Sequence, residues 1–364
     1  MKFVVRFISF IGLTLGLCQW THAQDLLQSL TATAALDLAA PIALDSASQS
    51  RLYLRAGELR ISGPSDHLFE GILSLAAHEE DGETVFEVHE ATLGTSRLVP
   101  GMRFRAGKYF LPVGRLNRTH AHDWPFTTAP KVHRELFTPG IETPLLSEGA
   151  SDLGVEASYL LPTSHFLEWT MGLTNGWCFG HCHTQGSAPP YPLHYARLAT
   201  FFDLNEEAGL SMALSYLGRK SSDGISTSLA GMEATYKLRR NRRLLWLMQS
   251  EAYLQTQYSD SSGRANYFGF YIFGQRSLAE QWALGLRIDG YTHLNLRFSS
   301  TGEHRKDFDY ALAPSLSFLP SEFTTLRLSY SHEVDTTQGV SDTFDRQLQL
   351  QFIWILGSHP AHEF

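Results

Sequence analysis

The chain has 364 residues, 43% hydrophobic and 12% aromatic but only 18% charged, with a formal net charge of −8. That acidic balance supplies no basic field to hold phosphates, so nucleic acid is excluded as the expected partner. Beyond the N-terminal segment no stretch reaches the roughly 18–20 apolar residues that a spanning helix needs.

Residues 1–23 read as a secretory signal peptide. Lys2 and Arg6 give a positive start, "FISFIGLTLGL" is apolar from Phe7 to Leu17, and "THA" precedes a cut after Ala23. Cys18 follows Leu17, where lipid attachment would want a small residue, so a lipoprotein anchor is not expected. Export puts the chain in an oxidising compartment, where Cys178 and Cys182 can pair.

From there on the period of the pattern is two. "MRFRAGKYF" sets Met102, Phe104 and Phe110 against Arg103 and Arg105. "QWALGLRIDG" places Trp282, Leu284, Leu286 and Ile288 opposite Arg287 and Asp289. "FDYALAPSLSF" sets Phe308, Tyr310, Leu312, Leu316 and Phe318 against Asp309, Ser315 and Ser317. "RQLQLQFIW" puts Leu348, Leu350, Phe352 and Trp354 against Gln347, Gln349 and Gln351. Side chains of a strand alternate between faces, so these are strands with one apolar and one polar side.

In chain order the strands are expected near 29–39, 51–62, 67–78, 84–95, 102–112, 151–161, 165–176, 194–203, 207–218, 227–238, 243–257, 265–276, 281–293, 307–319, 323–333 and 344–356. Most are longer than the five or six residues usual in a soluble sheet. Aromatics collect near their ends: Trp169, Trp177, Tyr195, Trp246, Tyr267, Phe268, Trp282, Tyr291, Tyr330 and Trp354. A soluble sandwich with its apolar faces inward is the competing reading. Long strands, aromatic girdles and charge on the polar face favour an all-β, transmembrane, antiparallel up-and-down β-barrel of about sixteen strands. Closure is required, because no strand edge can face hydrocarbon unpaired. The first hairpin is the weakest, so 14 or 18 strands stay open.

Connections alternate between short ("GPSD" 63–66, "PTS" 162–164, "PSE" 320–322) and longer polar ones (113–150, 177–193, 294–306). Bacterial barrels pair short periplasmic turns with long external loops. The barrel is therefore expected over 24–356, with a periplasmic tail at 357–364. Its inward face carries Arg103, Arg105, Glu156, Glu168, Arg197 and Glu233, and further along Lys237, Glu251, Arg287, Asp289 and Arg327. These are the expected pore-lining residues. An interior filled by paired charges is the alternative.

The third external loop, 113–150, is too long to be an ordinary connection. It holds Trp124, Phe126, Leu136, Phe137, Leu145 and Leu146, and it is stiffened by Pro125, Pro130, Pro139 and Pro144. It is expected to fold into the lumen as the constriction. His120, His122, Asp123, His133 and Glu135 within it are candidate ligands for zinc or another divalent ion. They are also candidates for a conductance response between about pH 5 and 8. The alternative is histidines that only hydrogen-bond within a loop. In 177–193, Cys178 and Cys182 stand beside His181 and His183. A small disulfide is expected there, with a zinc pair as the other reading. His359 and His362 in the tail are weaker candidates for metal.

"GMRFRAGKYFLPVGRLN" (101–117) resembles the strand and turn of the phosphate-selective-type porins, through Phe104, Gly107, Lys108, Pro112 and Gly114. "GASDLGVEASYLLP" (149–162) resembles the strand that follows. "RLNRTHAHDWPF" and "GSHPAH" also resemble porin-like outer-membrane proteins linked to zinc. The resemblance implies a porin-like channel of the bacterial outer membrane for small hydrophilic solutes or ions. Its natural surroundings would be outer-membrane lipid and, by porin habit, a homotrimer. The net acidic composition and the lumen's mixed signs do not carry phosphate selectivity over. A receptor or adhesin-type barrel with a blocked lumen is the alternative. No G-x-S-x-G or H-E-x-x-H occurs, so no enzyme is expected. The residues establish no cofactor, and zinc is the one they could hold.

Overall fold

The computed structural model describes residues 30–357 except 45–50, 81–82, 138–148, 177–188, 190, 223, 242, 262, 295, 298–303, 306–307 and 337–342. The barrel strands run β1 (Thr31–Ala43), β2 (Tyr53–Pro64), β3 (Glu70–Glu80), β4 (Glu83–Thr95), β5 (Met102–Phe110), β6 (Ser151–Leu160), β7 (Phe166–Thr174) and β8 (Leu193–Asn205). They continue through β9 (Ala208–Lys220), β10 (Ser226–Arg240), β11 (Arg243–Ser259), β12 (Gly263–Ser277) and β13 (Trp282–His293), then β16 (Phe308–Ser321), β17 (Thr324–Asp335) and β18 (Thr343–Gly357). Between β13 and β16, a loop carries a two-stranded ribbon of β14 (Leu296–Arg297) and β15 (His304–Arg305).

Among the described residues, sixteen antiparallel strands pair in chain order, and β1 closes the ring on β18 from Thr33 opposite Gly357 to Ala43 opposite Gln347. This is the fold expected from the alternation. The first three strands begin two to three residues later than expected, where the sequence pattern was weakest.

Burial is inverted relative to a soluble protein. Leu284, Leu286 and Ile288 of β13 are 51%, 44% and 45% exposed on the outer wall, while Arg287 and Asp289 between them are fully buried. An apolar exterior with charge inside is stable only where the outer face meets lipid. Phe110 departs from its expected parity. Phe110 ends β5 and turns inward, packing edge-on against His89 and His120.

Two strands on one side of the wall carry an extra residue. Asp37 faces Ala56 and the next residue, Leu38, faces Leu54, which leaves Arg55 unpaired in β2. Ser74 faces Glu90 and Leu75 faces Val88, which leaves His89 unpaired in β4. A bulge lets consecutive side chains point to one face. Arg55 and Ala56, and His89 and Glu90, are accordingly all buried.

The connection between β5 and β6 is described for 111–137 and 149–150. It holds two single 3-10 turns (Leu116–Arg118 and Ala121–Asp123) and one short helix, α1 (Lys131–Phe137). Pro130 precedes α1, and its carbonyl accepts from the N–H groups of His133 and Arg134. Within the barrel this segment builds an apolar core. Trp124, Phe126, Val132, Leu136 and Phe137 pack with Leu217, Leu229, Tyr253, Tyr271 and Phe273 from the wall.

Candidate functional site: the third loop and the space beside it

The loop is fastened from its base upward. Asn117 donates from Nδ2 to the carbonyls of Leu111 (2.7 Å) and Ala150 (3.1 Å), and its Oδ1 accepts the Ala150 N–H. Both ends of the loop are thereby tied to one side chain. Gly114 takes φ +80°, and a Cβ there would run into the Tyr253 hydroxyl and come within 2.6 Å of Glu251 Oε2. Only glycine fits this left-handed, crowded turn. The close approach lets Glu251 Oε1 accept the N–H groups of Arg115 (3.0 Å) and Leu116 (2.8 Å).

The far wall holds the rest of the loop. Arg55 donates to the carbonyls of Thr127 (2.6 Å) and Ala121 (3.0 Å). Arg287 donates to both the carbonyl and the hydroxyl of Thr128. Asp289 Oδ1 accepts the Lys131 N–H at 2.8 Å. Arg134 pairs with Glu333 at 2.6 Å, and the Lys131 ammonium lies 3.4 Å from the same carboxylate.

Beside the loop, toward the short-turn ends of β2 to β9, lies a cavity of about 590 Å³. Five arginines reach it (Arg60, Arg103, Arg105, Arg118, Arg197), as do three glutamates (Glu90, Glu156, Glu168). Arg60 meets Glu90 at 3.1 Å, and Arg105 meets Glu156 at 2.7 Å. Glu233 holds Arg197 at 2.6 Å and Arg118 at 3.2 Å. The Tyr195 hydroxyl donates to Glu156 at 2.7 Å, and the Arg105 guanidinium lies over the Tyr109 ring at 4.1 Å.

The expected lining residues thus fall into two groups. Arg103, Arg105, Glu156, Glu168 and Arg197 border the cavity, with Glu233 behind them. Glu251, Arg287 and Asp289 also face inward but lie under the loop and hold it. Arg327 is buried nearby, donating to Gln351 and Ser317. Lys237 is buried on β10.

The five expected metal ligands do not converge, which corrects that expectation. His133 is shut between Trp124 and Phe137, with ring centroids at 5.1 and 5.0 Å, and Glu135 points outward from α1. Burial pushes the His133 pKa down to about 3. His120 and His122 do come together, their rings parallel at 5.6 Å, and Asp123 lies 3.4 Å from His122. Their principal partners are wall carboxylates. Glu58 Oε2 is 3.0 Å from His120 Nδ1 and 3.5 Å from His122 Nδ1, and Glu90 lies 3.3 Å from His120 Nε2. Burial works to lower the His120 pKa, but the hydrogen bonds to Glu58 and Glu90 outweigh it and raise the value to about 10. Burial lowers that of His122, against the pull of Asp123 and Glu58. Their surroundings thus shift His120 and His133 in opposite directions.

Glu58, His89 and Glu90 were not among the sequence-derived candidates. Strict alternation puts His89 and Glu90 on opposite faces, and the bulge overrides it. Cys178, Cys182, His181 and His183, and the tail residues His359 and His362, lie outside the described residues.

No family model matches the chain. An uncharacterised protein of Aquifex aeolicus (strain VF5) is 23% identical over 340 residues, covering 85% of this chain and 70% of that protein. Among solved structures, the outer membrane channel DcaP of Acinetobacter baumannii superposes with a TM-score of 0.62 at 10% identity, covering 90% of this chain and 97% of that one. The anion-selective porin of Comamonas acidovorans gives 0.60 at 11% identity, covering 90% and 99%. Pseudomonas putida OprB gives 0.56 at 8% identity, covering 92% and 96%. The chain shares with these proteins the fold of the sixteen-stranded, porin-like outer-membrane barrel.

Proposed function

We propose that the protein is a passive channel of the bacterial outer membrane for small hydrophilic solutes or ions. The observation that carries this reading is the charged cavity of about 590 Å³ that the third loop leaves open along β2 to β9. A loop fastened on the opposite wall narrows the lumen without filling it. The interleaved arginines and glutamates beside that gap would order water and screen solutes by charge. The neighbouring folds, one an outer membrane channel and one an anion-selective porin, support the same class of activity. Outer-membrane lipid is the surroundings that the exposed apolar wall calls for. A homotrimer is the assembly we propose, on the strength of a trimeric form among structures of the same fold.

A second reading has an observation of its own. Asp37, Arg55, Arg287 and Asp289 are at most 2% exposed, so the β11–β2 side of the lumen is packed like a protein interior. A barrel packed that way on both sides would be a receptor with a closed lumen. Planar-bilayer recording separates the two. Discrete conductance steps from the purified barrel are expected. A folded barrel that inserts and stays electrically silent would leave the receptor reading.

A further inference from the structure

We propose that Glu58, His89 and His120 form a buried binding site for a divalent transition-metal ion of the zinc class, clamping the third loop to the barrel wall. This does not rest on the channel reading, because metal binding is measured without current.

One ligand atom from each of Glu58, His89 and His120 lies within 4.8 Å of the others, and all three residues are buried. The loop supplies His120, β2 supplies Glu58 and β4 supplies His89, so an ion held here would join three separated pieces of chain. The ligand atoms of a tetrahedral zinc site stand about 3.3 Å apart, as metal–ligand distances near 2.0–2.1 Å require. Glu58 to His120 is already 3.0 Å and Glu58 to His122 is 3.5 Å. Small side-chain rotations close the rest, and His122 stands ready as a fourth ligand.

The space is the right size. Glu58, His89, His120 and His122 line a small cavity of about 10 Å³. That is roughly the volume one water needs. The imidazoles face it in register. His89, His120 and His122 stack with centroids at 5.9 and 5.6 Å and interplanar angles of 13° at both steps.

The local fold is built to bring these groups together. The β4 bulge turns His89 inward alongside Glu90, and the β2 bulge at Arg55 sets the inward run that includes Glu58. Bulges re-aim side chains in this way next to functional sites. Ser74 donates to the other oxygen of Glu58, orienting the carboxylate as ligand carboxylates generally are. Two or three imidazoles with one carboxylate suit zinc and its neighbours. Calcium and magnesium ask for more oxygens. His89 is also shared by a second group, His78 and Glu87, with ligand atoms again within 4.8 Å. Both lie nearer the external ends of their strands, so a route for the ion runs in from the mouth through His89.

The test uses the full barrel in detergent, stripped with chelator and titrated with zinc(II) alone. One zinc per chain is expected. H89Q and H120Q should each bind at least about 10-fold more weakly, while H133F, altered outside the cluster, should bind as the native chain does. Heat-modifiable gel mobility identifies folded variants. X-ray absorption at the zinc edge on native protein needs no variant and should show two or three imidazole nitrogens near 2.0–2.1 Å. The proposal is overturned by native protein that binds no zinc, by H89Q and H120Q binding as tightly as native, or by an oxygen-only shell. Without an ion, the same residues would be a carboxylate–imidazole staple, which predicts that null titration.

Discussion

Arg287 Nε lies 2.7 Å from Asp289 Oδ2, and neither residue has any exposed surface. The pair sits on one strand, two residues apart, and each member also grips the third loop: Arg287 through Thr128, Asp289 through the Lys131 N–H.

Removing one partner should therefore cost far more than removing both. Asp289→Ala leaves a buried guanidinium uncompensated and frees Lys131 N–H, a loss of about 3–5 kcal/mol. The expected outcome is a lowered melting temperature in detergent and a noisier, larger conductance as the loop loosens. The double change Arg287→Met with Asp289→Leu should recover part of the stability, read by the same melts.

Gly114→Ala should disturb the loop while the barrel still closes. The new Cβ meets Tyr253 and Glu251, in a backbone conformation that alanine resists. Gly263 has a similar φ, +76°, but open space around it, so Gly263→Ala isolates the backbone part of the cost. Heat-modifiability should be native in both, with single-channel conductance altered in Gly114→Ala alone.

His133 should make the protein sensitive to acid. Its folded pKa of about 3 lies below the unfolded value near 6.5, so the unfolded chain binds the proton first. Stability is full above about pH 6.5 and falls toward pH 3, at up to about 1.4 kcal/mol per pH unit. His133→Phe keeps the ring between Trp124 and Phe137 and removes the titration. Its melting temperature should fall less between pH 7 and 4 than that of the native chain. Equal slopes would dismiss the histidine as the cause.

Charge at the open side of the loop should set ion preference. Arg103 and Glu168 both border the cavity. One unit charge at 4 Å in water is worth about 1 kcal/mol, roughly fivefold in local ion concentration. Arg103→Glu should move the reversal potential in a salt gradient toward cations and Glu168→Lys toward anions, both less so at high salt. No movement in either would place the ion path elsewhere.

The barrel was legible because its physics is local. A strand between lipid and lumen must alternate, and β13 and β18 do so residue by residue. That the third loop turns inward was legible in Trp124, Phe126, Leu136 and Phe137, which need apolar company. What those side chains would meet was not. Glu251 and Asp289 looked like wall charges facing a solute, but loop backbone N–H groups fill that place. His133 looked like His120 in the sequence, since both are loop histidines near a carboxylate. Their difference comes from distant chain: Glu58 and Glu90 beside one, Trp124 and Tyr253's neighbour Phe137 around the other. His89 was hidden by a one-residue bulge that period-two reading cannot see.

The seat of the loop also fixes an order of events. Thr127 is held through its carbonyl by Arg55, 72 residues before it, and through its hydroxyl by Gln351, 224 residues after it. Gln351 in turn donates to Asp37 across the β1–β18 seam, a separation of 314. The Gln351 half of that seat exists only where the first and last strands meet, so the fully seated loop requires the closed ring. Closure of the ring and narrowing of the bore are thus coupled through one glutamine, Gln351, which touches both the seam and the loop.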